Sequence, residues 1–462
     1  TGPYQITTPE GLAWFAYKVN NDNAVFGSKS AAVPEGSPAF DLAGVKYGGQ
    51  VDAGTADNEK YKNAIGWIPI GVPGTPANLY EGTFDGGFVS IRNLSAPKEN
   101  LSGLFGFVGN ATISRIVVEN GYLSKMAAGG IVACVDASKN LTIEKCANGA
   151  MTAGNYASGG ILGQATGTAR IRDCYNWGEA YYGYDRGGIC GVAISGGAAD
   201  IANCYDVSRY SNGDFDPIVR VKSGGTVTVA NNYYASGGST STYGTAKSAD
   251  EFASGEVAWL LDTASADGAT TGGAHRNAWG QKVGRDATTG ELAAAGDASP
   301  AFFDAVAHPR VLKLAQDFDN SVFGDDIAEP SQASYANAGS KVKLAVPTDP
   351  AKKVKYVLSG NEEGSDSTVE TVITSPYTVH DSRTADLAIT VKNNAVFESW
   401  AKLADAVDTG DTVTLTNGDS KNMGDFKPTN AGTVGDPYQL STPEAFAWWA
   451  YKSTGADYAV LT

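Results

Sequence analysis

The chain has few of the residues that build metal and redox sites. Its 462 residues include five Cys and three His, and no Cys-x-x-Cys pair occurs. The histidines lie far from the cysteines, so we expect no zinc site. No apolar run approaches the roughly 18 residues that a membrane-spanning helix needs, and we therefore predict no transmembrane segment.

Basic residues are scarce as well. Lys and Arg total 34 against 50 Asp and Glu, which gives a net charge of −16. Nucleic acids and anionic membranes bind proteins through basic patches, so we predict neither of them as a partner. An acidic surface mainly keeps a Gly-rich chain soluble.

The motifs of common catalytic machinery are also missing. The chain contains no G-x-S-x-G, H-E-x-x-H or P-loop sequence. The three histidines, His275, His308 and His380, are scattered along the sequence and suggest no catalytic triad.

Glycine, in contrast, is abundant, and much of it lies in a sequence repeat that occurs four times. The 57 Gly are about twice the usual share. The copies begin with GGIVACV, GGILGQA, GGICGVA and PIVRVKS, at Gly129, Gly159, Gly187 and Pro217. The first apolar residues of the copies lie 30, 28 and 29 residues apart, at Ile131, Ile161, Ile189 and Ile218. A period held this closely indicates stacked copies of one structural unit.

Each copy has the pattern of β-strands. A short apolar run opens the copy, and an alternating segment such as LTIEKC or ARIRDC follows. Alternation with a period of two is typical of a half-buried strand, and the Gly-, Ser- and Asn-rich links are typical of turns. Stacked about 4.8 Å apart, such strands form parallel sheets. The sequence therefore predicts a mainly β protein, a parallel β-helix with coils of about 28–30 residues.

The aligned copies predict columns of like residues along the stack, because amides bond and aromatic rings stack from coil to coil. The structural ladder consists of Ile143, Ile171, Ile201, Cys146, Cys174 and Cys204. The next columns are Tyr175, Tyr205 and Tyr233, and then Asn148, Asn176 and Asp206. The cysteines fit as small buried residues; a bridge between neighbours stays open, and an odd count leaves at least one thiol free.

The coils resemble a family of surface repeats. The patterns Gly-Gly-Ile-x-Gly and Ile-x-x-Cys-Tyr-Asn-x-Gly, best seen at 171–178, resemble the GLUG-motif repeats of bacterial surface proteins. Such repeats occur in large adhesins and in the non-catalytic regions of IgA-peptidase-like proteins. The resemblance covers about residues 1–310, although an insertion at 45–64 and the lost Gly-Gly at Asp216-Pro217 depart from the pattern. It implies a right-handed β-helix displayed on the cell surface, and it offers no catalytic residues to carry over to this chain.

The two ends of the chain carry a second, longer repeat. GPYQITTPEGLAWFAYKVNND near the start matches GDPYQLSTPEAFAWWAYKSTGAD near the end, at an offset of 434 residues. Thr-Pro-Glu predicts a helix start, and we expect a helical N-terminal cap at about 8–18 over the edge of the first coil. No signal peptide opens the chain, and the motif is already under way at Thr1. We therefore expect a window onto a longer tandem array.

The chain is predicted to have three parts. Residues 1–328 form the β-helix module, with coils to about 238 and a C-terminal cap at about 248–328. Residues 329–396 contain short alternating strands typical of a small Ig-like β-sandwich. Residues 397–462 form a linker and the start of the next tandem copy.

Aromatic residues crowd one turn of the coils and supply the candidate binding site. Flat rings beside short amides bind sugars or protein partners. The alternative is that some rings form an inward stack and others cover the turn. The candidate ligand-binding residues are Tyr175, Trp177, Tyr181, Tyr182, Tyr184, Tyr205 and Tyr210.

Enzymatic and metal sites find less support. β-Helices also host polysaccharide lyases and glycosidases, whose sites cluster carboxylates with basic residues. Here the columns beside the Cys ladder offer Asp173 next to Arg172 and no pair of carboxylates, so we expect a solvated face. Asp317, Asp319 and Asp325 suggest a calcium loop, but the Gly and the final Glu of such loops are missing. A capped acidic turn is the alternative, and no other cofactor is predicted.

These features favour a secreted, non-enzymatic module of a bacterial cell surface. Its function would be adhesion, extension from the surface or self-assembly, with a host or bacterial glycan or protein as partner. The alternative is a carbohydrate-active β-helix enzyme, or the accessory region of a surface protease.

Overall fold

The computed structural model describes the chain in several stretches. They are residues 2–43, 66–96, 100–209, 215–222, 224–237, 240–263, 278–288, 290–317 and 334–342, the strands at 353–358, 377–378, 387–392, 412–414 and 420–422, and residue 439. The chain divides into two units, one formed by residues 1–282 with 297–310 and the other by 283–296 with 311–462.

Two helices and three short strands open the first unit. They are β1 (Tyr4–Gln5), α1 (Pro9–Asn21), α2 (Asn23–Phe26), β2 (Ala31–Ala32) and β3 (Phe40–Asp41). The Thr8 side chain accepts a hydrogen bond from the Gly11 amide at 3.1 Å, so α1 begins where Thr-Pro-Glu predicts it. The buried ring of Phe15 lies 6.3 Å from that of Phe84. Helix α1 therefore packs on the first coil.

The coils follow as a series of short strands. In chain order they are β4 (Thr83–Arg92), β5 (Leu94–Ala96), β6 (Leu101–Ser102), β7 (Phe105–Val108), β8 (Ala111–Val118), β9 (Gly121–Gly129), β10 (Val132–Val135), β11 (Asn140–Glu144), β12 (Ala147–Asn148), β13 (Met151–Gly159), β14 (Leu162–Ala165), β15 (Thr168–Arg172), β16 (Tyr175–Asn176), β17 (Asp185–Gly187), β18 (Cys190–Ala193), β19 (Ala198–Ala202), β20 (Tyr205–Asp206), β21 (Phe215–Asp216), β22 (Val219–Val221), β23 (Thr226–Ala230), β24 (Tyr233–Ala235) and β25 (Thr245–Lys247). They form a parallel β-solenoid of about 7 turns, which is the mainly β, stacked-coil fold that the repeats predict.

Three parallel sheets run along the stack. The largest contains β4, β8, β11, β15, β19 and β23, continues through β12, β16, β20, β24 and β25, and includes β1–β3 at the N-terminal end. The second consists of β7, β10, β14, β18 and β22, and the third of β5, β6, β9, β13, β17 and β21. Side chains that point inward from the three sheets form the core of the unit.

Like residues lie in register from coil to coil. One apolar column pairs Ile113, Ile143, Ile171, Ile201 and Val229. In the column beside it, the Cys146 amide donates to Cys174 Sγ at 3.4 Å, and the Cys174 amide donates to Cys204 Sγ at 3.4 Å. All five cysteines are buried free thiols, so the open question of a bridge is answered in favour of thiols.

A buried column of amides explains the repeated Gly pair. Asn148 Nδ2 donates to Asn176 Oδ1 at 2.9 Å, and Asn176 Nδ2 donates to Asp206 Oδ1 at 2.9 Å. These side chains are fully buried, and stacked amides of this kind bond coil to coil. A Cβ atom on Gly160 would collide with the Asn176 amide. The second Gly of the pair is therefore required for the close approach of backbone and amide column.

A cap of two helices and two antiparallel strands lies over the tyrosine column. It comprises α3 (Ala249–Ala253), α4 (Glu256–Thr263), β26 (Trp279–Gly280) and β27 (Ala301–Phe302). The Ser248 hydroxyl accepts from the Glu251 amide, and the Glu251 carboxylate accepts from the Ser248 amide, so a capping box starts α3. Phe252 and Trp279 of the cap cluster with Tyr205 and Tyr233 of the coils. The cap therefore buries one flank of the solenoid.

The second unit contains antiparallel strands. They are β28 (Leu312–Asp317), β29 (Ser334–Ala336), β30 (Lys341–Val342), β31 (Lys353–Leu358), β32 (Tyr377–Thr378), β33 (Leu387–Lys392), β34 (Thr412–Thr414) and β35 (Ser420–Asn422). Four form one sheet in the order β29-β28-β31-β33, and the remaining pairs are β30 with β32 and β34 with β35. The Ig-like β-sandwich stays a prediction, because the predicted strand at 367–375 lies outside the described residues.

The predicted boundary at residue 328 differs from the division of the structure. Strand β28 pairs with β29 and β31, so the second unit takes in residues from Val311 onward. The predicted helix at 397–407 and, apart from Gln439, the second copy of the opening motif lie outside the described residues. Within the described stretches no helix is long and apolar enough to cross a membrane.

Candidate functional site

The candidate aromatic residues separate into a buried column and an exposed turn. Tyr175, Tyr205 and Tyr233 pair in register, and the first two rings stack 5.0 Å apart with 10° between their planes. Trp279 of the cap lies 5.5 Å from Tyr205, whose hydroxyl donates to the Pro300 carbonyl. Tyr205 is fully buried. The structure therefore places Tyr205 beneath the cap and Tyr175 half-buried beside it, on the flank of the solenoid and not as an inward stack in its interior.

Four of the other candidates lie at residues 177–184, which we call the aromatic turn. Trp177 stacks on Tyr175 at 5.3 Å and so links the turn to the buried column. Tyr210 lies outside the described residues. The exposed fractions in the turn are 37% for Trp177, 39% for Tyr181, 58% for Tyr182 and 80% for Tyr184.

Hydrogen bonds to β13 hold the backbone of the aromatic turn. The Tyr181 amide donates to the Thr152 carbonyl at 2.8 Å, and the Ser158 hydroxyl donates to the Tyr182 carbonyl at 2.6 Å. Gly183 adopts a φ of +137°, a backbone conformation that favours glycine. The rings thus project from a fixed backbone, which lowers the entropy cost of ordering them around a ligand.

The aromatic turn borders an open groove, which we call the β9–β13 groove. Its volume is about 350 Å³, near the lower end of the range for ligand pockets. Ala153 pairs with Ser124 across the two strands, so two short side chains lie side by side there. The lining residues are Tyr122, Ser124, Lys125, Ala153, Asn155, Tyr181 and Tyr182.

Two backbone irregularities lie within this groove. Lys125 has a φ of +101°, which is costly for a residue that carries a Cβ atom. Strand β13 also shifts its register against β9 between Gly154 and Ala157, a bulge that re-aims Asn155. The sequence patterns did not single out Tyr122, Ser124, Lys125 or Asn155. No alternation signal reports a bulge or a positive φ, so sequence reasoning had no means of finding them.

Arg172 and Asp173 do not form the solvated pair that the columns suggested. Their exposed fractions are 7% and 8%. Arg172 Nη2 lies 2.5 Å from Asp200 Oδ2, whereas the Asp173 carboxylate accepts from Trp279 Nε1 at 3.3 Å. The expectation of a solvated face is wrong here, because a φ of +52° at Asp173 bends the chain and the cap then covers the bend. The Arg172 guanidinium and the Asp173 carboxylate are thus both engaged in contacts within the first unit.

The amide column ends on an ionisable group. Asp206 accepts from Asn176 through Oδ1 and from the Ser208 hydroxyl through Oδ2 at 3.0 Å. Burial nevertheless raises the pKa of Asp206 to about 7. Asp206 is fully buried, so we assign it to the packing of the coil and not to a surface site.

The thiols and the candidate metal loop add no reactive centre to the described structure. Burial raises the pKa of Cys134 to about 11 and that of Cys190 to about 12, which keeps both thiols protonated and unreactive. Among the described residues, no group of three or more His, Cys, Asp or Glu could hold a metal ion. Asp319 and Asp325 lie outside those residues, and Asp317 ends β28. The calcium loop therefore stays a prediction.

Comparisons with known proteins give one distant structural match. No family model matches this chain, and no curated protein matches it. Among solved structures, it is similar to a Bacteroides ovatus protein described as a candidate immunoglobulin A1 protease. The two are 18% identical with a TM-score of 0.39, over 65% of this chain and 92% of that chain.

Proposed function

We propose that this chain is a non-enzymatic module of a secreted bacterial surface protein, and that it adheres to a host or bacterial glycan or protein. The observation that carries the proposal is the aromatic turn beside the β9–β13 groove. Its four rings are exposed while their backbone is held by hydrogen bonds to the preceding coil. Exposed rings next to amide and hydroxyl groups suit sugars and protein loops alike.

The surrounding fold supports a binding role over a catalytic one. Stacked coils form a rigid scaffold, and a rigid scaffold presents a recognition surface with little loss of entropy. The resemblance of the coils to GLUG-motif repeats and the 434-residue offset between the two opening motifs favour a repeated surface module. Extension from the surface and self-assembly remain further expectations of the same kind of architecture.

The enzyme alternative is less favoured, for a specific reason. The one acid–base neighbour pair that the columns offered, Arg172 with Asp173, is buried and bonded to Asp200 and Trp279. A polysaccharide lyase or glycosidase needs such groups free to reach the substrate.

The proposal is tested by ligand screening with matched variants. The purified chain is screened on a glycan array and against surface proteins, and the same preparation is assayed for polysaccharide depolymerisation. We expect binding without turnover, and a loss of roughly tenfold or more on changing Trp177→Ala together with Tyr182→Ala. Tyr17→Ala is the matched control, since Tyr17 is 46% exposed on α1. Turnover, or equal binding by the double variant and the parent chain, would contradict the proposal.

A further inference from the structure

We infer that the β9–β13 groove binds a saccharide that carries a carboxylate. Lys125 is the residue that favours this acidic sugar over a neutral one. The inference rests on the proposed binding function and names its site and its ligand class. Three features of the groove lead to it: its shape, its aromatic wall and its charge.

The shape of the groove suits a sugar ring. Ala153 is buried to 4% exposure and forms the floor, paired with Ser124 of the neighbouring coil. A volume of about 350 Å³ that is open to solvent accommodates one or two sugar residues of a longer chain. Because the floor is a methyl group, a larger side chain at this position would fill the groove directly.

The wall and rim of the groove supply the contacts that sugars use. Tyr181 and Tyr182 line the groove, and these residues are 39% and 58% exposed. Flat aromatic faces pack against the apolar C–H faces of sugar rings. Ser124 and Asn155 offer short hydroxyl and amide groups that hydrogen-bond with sugar hydroxyls.

The charge of the groove differs from that of the whole chain. Among the described residues that line it, Lys125 is charged and the other six are neutral. The chain as a whole has a net charge of −16, so a groove lined by one cation and no anion differs in sign from the whole chain. An ammonium group pairs with a carboxylate, and in this setting it gives an acidic sugar an advantage over its neutral counterpart.

The backbone supports a ligand-binding role for Lys125. Its φ of +101° is a conformation that side chains other than glycine rarely adopt. The register shift between Gly154 and Ala157 lies on the paired strand and turns Asn155 towards the same groove. Strained residues and bulges that persist side by side are common at binding sites, where they aim side chains at a ligand.

The charge preference is tested with matched sugars in calorimetry. The pairs are 3′-sialyllactose with lactose, and trigalacturonate with its carboxyl-reduced form. We expect the acidic member of at least one pair to bind roughly fivefold tighter than its neutral partner, the size of an exposed ion pair. Lys125→Gln should abolish that difference by weakening the binding of the acidic member, whereas Lys125→Arg should retain it. Raising the salt concentration should weaken only the acidic member.

A second variant tests the place of binding. Ala153→Leu should fill the floor and weaken both members of a pair by roughly tenfold, while its thermal unfolding reports that the coil still folds. Equal affinity within both pairs, or an acid preference that survives Lys125→Gln, would overturn the inference. If Trp177→Ala with Tyr182→Ala abolishes binding but no acid preference exists, the proposed function stands and this inference falls. If neither sugars nor proteins bind, both fall.

Discussion

Tyr175 and Tyr182 lie seven residues apart in the sequence, yet they belong to opposite regions of the molecule. Tyr175 stacks on the fully buried Tyr205 beneath the cap, whereas Tyr182 is 58% exposed beside the β9–β13 groove. Both regions are rich in tyrosine and lie on the same coils. The difference shows that residue type alone does not make an aromatic cluster a core or a binding surface. What decides is whether a later segment of the chain covers it.

The covering segment explains the contrast in physical terms. Trp279 and Phe302 follow Tyr175 by more than a hundred residues in the sequence, and their rings lie 5.8 and 5.1 Å from its ring. Burying such rings releases water from a large apolar area and stabilises the unit. The aromatic turn has no such cover among the described residues, and its backbone bonds to β13 hold it without one.

The largest effect is expected in the buried column. Tyr205→Ala removes a ring that contacts Tyr175, Phe252 and Trp279, and it leaves the Pro300 carbonyl without its donor. We expect the free energy of unfolding to fall by about 3–5 kcal/mol, as for large aromatic truncations in cores. Chemical denaturation measures the change. Tyr184→Ala, at 80% exposure, is the matched control and should cost less than about 0.5 kcal/mol. Similar losses in both variants would remove the distinction between column and turn.

A second prediction concerns the acid at the end of the amide column. The folded-state pKa of Asp206, about 7, lies above the ordinary value of 3.8, so its ionisation lowers stability as the pH rises through that interval. At about 1.4 kcal/mol for each pH unit, the loss has an upper bound of about 4 kcal/mol. Asp206→Asn should be more stable than the parent chain above pH 7 and similar to it near pH 4. Denaturation at a series of pH values measures this, and a difference independent of pH would refute it.

The Gly pair gives a third, somewhat smaller effect. Gly160→Ala places a methyl group against the Asn176 amide and the Gly188 carbonyl of the next coil. We expect a loss of about 1–3 kcal/mol, typical of overpacking in a rigid core. Gly237→Ala is the control, because a Cβ atom there meets nothing within 4 Å. Thermal unfolding compares the two, and equal midpoints would show that the amide column yields more easily than its geometry indicates.

The smallest change in stability is expected on the aromatic turn. Tyr182→Ala should alter the free energy of unfolding by less than about 0.5 kcal/mol, since its carbonyl, and not its ring, bonds to Ser158. Its effect should instead be seen in ligand affinity. Paired measurements of unfolding and of binding on the same preparation separate the two. A variant that unfolds early while binding normally would assign the turn to the core.

Much of the solenoid follows from residue spacing. The intervals between Ile131, Ile161, Ile189 and Ile218 predict the coil length, because each coil must return to the same sheet. The columns of Ile171, Cys174 and Asn176 follow for the same reason, since identical positions on successive coils pair in register. Thr8 and Pro9 likewise predict the start of α1 from local chemistry.

The site could not be predicted in the same way. Period-two alternation counts residues along a straight strand, and it fails where Asp173 bends the chain with a φ of +52°. It also carries no information about the distant Trp279, which buries Asp173 and Tyr205. Lys125 was missed because its unusual backbone lies inside an ordinary strand sequence. These features depend on contacts between distant segments, which local patterns do not report.

The most direct test of the contrast is hydroxyl-radical footprinting of the native chain, read tyrosine by tyrosine by mass spectrometry. Tyr182 and Tyr184 should be oxidised at rates close to those in the unfolded chain. Tyr205 and Tyr233 should be oxidised roughly tenfold more slowly, because the cap excludes solvent from both of them. Comparable oxidation of all four tyrosines would contradict a covered core column and an exposed binding turn.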